Sequence, residues 1–348
     1  MIRPATRLAL WLGGLHALVD ATTVTAAYRA GLPLPPEAAF ALVLGYDLIA
    51  FAGQPLLGLG IDRLRAARVA LVAGLVLAAA AVPALAAGAW TAVALAGVGN
   101  ALFHLGAGTL VLDAAPCRSA PAGLFVAPGA LGLGFGRWYG PAAGPAWPLA
   151  LVLLAALLLA TRLRPPPPED VPPPAPVGGA ARLAAVLLLL LSVAVRSWAG
   201  AGVPAGLPRD TGFLVALSLA AAFGKGLGGL TADRLGWKAV AVGALLVATP
   251  LAAFGGSNAA IVVPAVILVQ ATMPVTLVAC VLALPGRTAT AFGLPCLALV
   301  LGALPTFFPW GRSGPLPFLL VLPASAAALA GGLALLGPRI PVPRSAAR

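Results

Sequence analysis

The stretch Gly53-Gln54-Pro55-Leu56-Leu57-Gly58-Leu59-Gly60-Ile61-Asp62-Arg63-Leu64 decides the fold, because the chain writes it again 171 positions later, Asp233 standing for Asp62. The second copy reads Gly224-Lys225-Gly226-Leu227-Gly228-Gly229-Leu230-Thr231-Ala232-Asp233-Arg234-Leu235. Each copy closes one long apolar run and precedes another. A repeat of this period, set in hydrophobic text, implies two related halves built from membrane helices.

Composition agrees with that reading. Hydrophobic residues make up 61% of the chain and charged residues 9%, against roughly 45–50% and about 25% in soluble domains. Apolar runs long enough to cross a hydrocarbon layer of about 30 Å as helices recur along the sequence, and the short alternating strands of a membrane barrel do not. Cutting at charged, Pro and Gly clusters predicts helices near 8–29, 38–60, 69–87, 90–112, 120–139 and 146–162. A second six follow near 183–204, 211–232, 238–255, 259–283, 289–308 and 316–337. The expected architecture is an all-α membrane protein of twelve transmembrane helices in two six-helix bundles, residues 1–163 and 182–348. A Pro-rich linker, 164–181, joins them as an extended spacer.

The net charge of +12 does not point to nucleic acid, since the basic residues stand singly or in pairs at the ends of apolar runs. With the N-terminus in the cytoplasm, that side holds Arg3, Arg7, Arg63, Arg65, Arg68, Arg118, Arg162, Arg164, Arg182, Arg234, Lys238, Arg287, Arg339, Arg344 and Arg348. The other side holds Arg29, Arg137, Arg209 and Arg312. This bias predicts cytoplasmic termini, in a bacterial inner membrane. The start of the chain reads as a first membrane helix and not as a cleaved leader. Cys117, Cys280 and Cys296 form no CxxC pair, so neither a structural disulfide nor a zinc site is expected. The two histidines stand far apart in sequence, and no metal site or cofactor is expected. A monomer in the lipid bilayer is expected.

Charges at membrane depth are costly and tend to face a cavity or a partner. Asp20 and Asp47 fall in the first two helices, Arg196 and Lys225 in the seventh and eighth. They are expected to line a cavity between the halves or to form fixed salt bridges across it. His16 and Asp20, four residues apart, share a helical face with Thr23, and an imidazole beside a carboxylate suits proton exchange. Gly97, Asn100, His104 and Gly108 form a second small and polar face. His16, Asp20, Asp47 and His104 are therefore the proton-handling candidates. Gln54, Asn100, Arg196, Lys225 and Gln270 are the substrate-binding candidates. Asp62, Arg63, Asp233 and Arg234 are the gating candidates, each Asp pairing with a neighbouring Arg or with a helix N-terminus opposite. Gly224, Gly226 and Gly229 fit GxGxxG, but within an apolar helix they read as close packing and not as a nucleotide site.

Both Asp-Arg loops resemble the signature loops of the major facilitator superfamily. Gly97-Val98-Gly99-Asn100-Ala101-Leu102-Phe103-His104 and Arg196-Ser197-Trp198 are similar to segments of fosmidomycin-resistance-type efflux carriers. Leu105-Gly106 follows where those carriers have Pro and an acidic residue. Gly136, Gly140-Pro141 and Gly144 partly fit an antiporter motif, with Pro145 in place of its last Gly. The resemblance implies alternating access and proton-coupled transport of a small polar or anionic molecule, in the outward direction. The other function classes are a membrane sensor or assembly factor with a carrier fold and an intramembrane enzyme.

Overall fold

The computed structural model describes residues 2–142, 144–170, 178–201, 210–256, 258–308 and 317–337, and these residues contain helices and no strand. Arg209, Arg312, Arg339, Arg344, Arg348 and linker positions 171–177 lie outside the described residues. Twelve apolar helical segments run in chain order: α1 Pro4–Gly31, α2 Pro36–Leu64, α3 Ala67–Ala80, α4 Ala89–Ala114, α5 Ser119–Tyr139 and α6 Trp147–Thr161. They continue with α7 Gly179–Ala201, α8 Thr211–Leu235, α9 Trp237–Phe254, α10 Ala259–Ala283, α11 Thr288–Phe307 and α12 Phe318–Leu336. Ten are long and apolar enough to span a membrane, and α3 and α6 are shorter apolar helices. The sequence expects a longer third helix. Its end is lost near Pro83, where a 3-10 turn, Pro83–Ala87, takes over, because proline has no N–H to continue the ladder.

The helix termini are set by local chemistry. Proline opens α1 and α2 in the first turn, where its missing N–H costs nothing. The Asp210 side chain accepts from the Phe213 N–H to cap α8, and Asn258 accepts from Ala260 to cap α10. Gly236, at φ 98°, turns the chain from α8 into α9. Within α2 a π-turn, Leu48–Ala52, precedes Gln54-Pro55, and the Gly53 N–H reaches back to the Leu48 carbonyl at 2.9 Å. Pro55 cannot donate, and the widened turn absorbs the break. The Gln54 side-chain amide then donates to the Ala50 carbonyl at 2.7 Å.

Packing divides the twelve helices into two sets of six. Among the first six, α1 packs on α4 and α5, and α3 on α4; among the second six, α7 packs on α11 and α12, and α9 on α10 and α12. The sets meet along two seams, α2 against α11 and α5 against α8. Leu183, Leu187 and Leu191 recur every four residues on an exposed face of α7, where apolar exposure fits lipid and not water. This is an integral membrane protein.

Candidate functional site

The repeated segment is the fastener between the two sets. Asp62, at the end of α2, accepts from the N–H groups of Ala289 and Thr290, both at 2.9 Å, and from the Thr290 hydroxyl at 2.6 Å. Asp233, at the end of α8, accepts from the Ser119 N–H at 2.8 Å, the Ser119 hydroxyl at 2.6 Å and the Ala120 N–H at 3.0 Å. Each carboxylate thus caps the N-terminus of a helix from the opposite set, where free N–H groups and the helix dipole attract negative charge. The repeat glycines permit the approach. A Cβ at Gly58 would stand 2.8 Å from the backbone of Ala289 and Thr290, and one at Gly229 would stand 2.5 Å from the Ser119 carbonyl. Arg63 and Arg234 are exposed beside these contacts.

The receiving ends are themselves a repeat that the reading of the sequence passed over. Pro116-Cys117-Arg118-Ser119 opens α5 and Pro285-Gly286-Arg287-Thr288 opens α11. Both turn through a positive φ, 62° at Cys117 and 74° at Gly286. On this face Thr288 also donates to Asp113 at 2.7 Å, and Arg118 bridges Asp233 at 3.8 Å and the linker residue Glu169 at 2.9 Å. All these contacts close one face of the molecule, the one that carries the described N-terminal end of the chain.

Deeper in the first set, α1, α2 and α4 assemble a buried polar cluster. Asp20 lies 3.2 Å from His16 Nε2 through Oδ2 and 3.8 Å from His104 Nε2 through Oδ1, and accepts from Asn100 Nδ2 at 2.7 Å. Asn100 also donates to Thr23, whose hydroxyl meets the Tyr46 hydroxyl at 2.9 Å. His16 Nδ1 donates to the Phe125 carbonyl at 3.0 Å and His104 Nδ1 donates to the Asn100 carbonyl at 2.8 Å. A carbonyl only accepts, so these bonds place a proton on both Nδ1 atoms and turn both Nε2 atoms toward one carboxylate. The His16–Asp20 contact, at 3.2 Å, sets an imidazole nitrogen against a carboxylate oxygen where one proton can be exchanged. Gly129 makes room for this arrangement, since a Cβ there would strike the His16 ring.

The two histidines, far apart in sequence, stand side by side in the structure. The crossing of α1 and α4 brings their ring centroids to 4.3 Å, and one nitrogen or oxygen from each of His16, Asp20 and His104 falls within 4.8 Å of the others. Such a triad has donor atoms suited to a divalent cation. Lys225, from the other set, places a positive charge within electrostatic range of Asp20 and His104, which opposes a dication there.

The cations do not pair with the carboxylates across the seam. Arg196 is 7% exposed; its Nε donates to the Ser192 carbonyl at 3.1 Å and Nη2 to the Thr276 hydroxyl at 3.1 Å. No described Asp or Glu lies within ion-pair distance of it. Lys225 is partly exposed and forms no ion pair among the described residues, and its electrostatic neighbours are Asp20 and Cys296. Asp47 stands apart from the cluster, within electrostatic range of Arg137. Gln54 and Asn100 are fully buried, and each keeps one side-chain oxygen without a hydrogen-bond partner among the described residues.

A cavity of about 450 Å³ opens beside the cluster, walled mostly by the second set and on one side by Val126 and Arg137 of α5. Arg196, Gln270, Thr276, Cys296 and Arg137 line it together with aliphatic side chains and Phe292. Of the expected binding residues it therefore gathers Arg196 and Gln270, and not Gln54, Asn100 or Lys225. Phe292, on α11, is the dividing wall: it lines the cavity, and its ring lies 6.4 Å from His104 and 6.2 Å from Phe125.

No family profile matches the sequence, and no curated protein matches it. Solved structures do. The chain is similar to a major facilitator superfamily transporter, FucP, in the outward conformation, with TM-score 0.66 and 14% identity over 98% of this chain and 100% of the other. It is also similar to a variant of the E. coli fucose:proton symporter, FucP, in which one asparagine is replaced by alanine, with TM-score 0.61 and 12% identity over the same shares. The chain has the major facilitator fold. Within that fold the two Asp-to-helix caps lie at equivalent places in the two halves, and the twelve segments predicted from the sequence are the twelve helices of the architecture.

Proposed function

We propose that the chain is a proton-coupled secondary transporter that moves a small polar or anionic solute by alternating access. The observation that carries this reading is the buried cluster in which His16 and His104 both turn Nε2 to Asp20, next to a cavity lined by an unneutralised guanidinium. The two paired Asp caps act as the gate: made, they hold one face closed; broken, they release it. Of the described loop cations, twelve lie toward the closed face and two, Arg29 and Arg137, toward the other. That bias supports cytoplasmic termini, an inner-membrane location and an outward-facing state. Protonation of the cluster weakens the attraction between Asp20 and Lys225 of the other set and so links proton occupancy to the seam between the halves. Where an anionic solute exchanges for an entering proton, an inside-negative potential adds about 2.3 kcal/mol per charge per 100 mV, and transport runs outward.

Reconstitution in vesicles tests the proposal. With an imposed pH gradient and a panel of radiolabelled organic anions, amines and sugars, at least one solute moves against its own gradient, and collapse of the pH gradient abolishes that movement. A folded, monodisperse protein that moves no solute with or against protons sinks the proposal. A sensor or assembly factor would give that outcome.

A further inference from the structure

Resting on the carrier reading, we infer that the cavity beside Phe292 takes an amphipathic organic anion, a carboxylate or similar group on an apolar body, and not a sugar. Its lining contains two guanidiniums, Arg137 and Arg196, and no acidic residue. Arg196 is 7% exposed and borders the cavity, with two of its donors spent on Ser192 and Thr276 and no carboxylate within reach among the described residues. A buried cation of this kind is completed by an anion, and a guanidinium fork matches a carboxylate. The remaining wall is largely aliphatic, including Val266, Leu299 and Leu322, with Gln270 and Thr276 as the polar points near the head group. A sugar would bury several hydroxyls against aliphatic carbon without partners, at a penalty for each. The volume, about 450 Å³, lies within the usual range for a small-ligand site of roughly 300–1,000 Å³.

The probe is radiolabelled 4-phenylbutyrate, whose binding to the detergent-purified full chain is measured by equilibrium dialysis. Unlabelled 4-phenylbutanol, succinate and fucose are the competitors. The expected result is saturable binding displaced by 4-phenylbutyrate and not by the other three. Arg196→Gln weakens it by about 10- to 100-fold, the loss of a charge-assisted pair, and Arg196→Lys recovers part of it. Leu299→Trp, which fills the cavity from another wall and leaves Arg196 intact, also abolishes binding, so the result does not depend on one variant folding. Equal competition by 4-phenylbutanol overturns the anionic head group. Displacement by succinate or fucose overturns the apolar body, and unchanged binding in both variants overturns the cavity assignment. Binding of the probe by a protein that moves no solute of the panel with or against protons upholds this site and sinks the carrier reading. Flux of another solute without 4-phenylbutyrate binding sinks this inference alone.

Discussion

Replacing Asp233 with Asn leaves the shape of the cap nearly unchanged and removes its charge. Asp233 accepts three hydrogen bonds from Ser119 and Ala120 of α5, at 2.6–3.0 Å, and a fourth from Trp237 Nε1 at 3.2 Å. The side chain is 16% exposed, so these bonds are only partly screened. Charge-assisted hydrogen bonds contribute about 1.5–3 kcal/mol each, and a charge at a helix N-terminus contributes about 0.3–1 kcal/mol, up to ~2 when partly buried. Asn keeps one acceptor and turns an NH2 group toward a backbone N–H. The expected loss is about 2–4 kcal/mol of preference for the closed face, roughly a 30- to 1,000-fold shift toward its open form. Spin labels at the exposed repeat positions Leu64→Cys and Leu235→Cys, one on each half, read that shift as a longer distance population. The native cysteines are replaced for this measurement. Asp62→Asn shifts the same equilibrium through α11, and the double variant shifts it further. Unaltered distance distributions in both single variants and in the double variant refute the gating argument.

Three further outcomes follow from the same geometry. Gly58→Ala pushes a Cβ into the backbone of Ala289 and Thr290, an overpacking cost of about 1–3 kcal/mol; the same spin-label pair reports opening of the closed face, and an unmoved distribution contradicts the close-approach role. Phe292→Ala joins the polar cluster to the cavity, so proton leak without solute, measured with a pH-sensitive dye inside vesicles, rises several-fold over the parent. Burial pushes the Cys117 thiol above its ordinary range, so alkylation by an impermeant maleimide is slow at neutral pH and rises at higher pH than for a free thiol. It occurs only from the side of the termini and accelerates in Asp233→Asn; labelling from the opposite side overturns the orientation.

Much of the architecture is legible in the sequence because membrane helices must satisfy their own backbone and expose apolar side chains to lipid. The span ends then coincide with charges, Pro and Gly, as at Asp210, Gly236 and Asn258. The Asp-Arg repeat is legible for the same reason, since so few charges are present that two in register stand out. The pairing of His16 with Asp20 follows from helical spacing alone. What joins His104 to that pair does not, because it depends on how α1 and α4 cross, far apart along the chain. The cavity follows the same logic. Arg196 and Gln270 meet only where α7 and α10 face each other, and nothing in local spacing tells Phe292 from the other apolar residues of α11. The Pro-Xaa-Arg-Ser/Thr turns at 116–119 and 285–288 are readable, and they identify the helix ends that the two Asp residues cap.

The central claim is that the proton held between Asp20 and its two histidines drives transport. It is tested most directly by comparing the parent with Asp20→Asn in vesicles, using a solute the parent accumulates. The account predicts that Asp20→Asn loses accumulation driven by a pH gradient and keeps solute exchange at equal pH, since alternating access and the Arg196 cavity remain. Undiminished pH-driven accumulation in Asp20→Asn would contradict it.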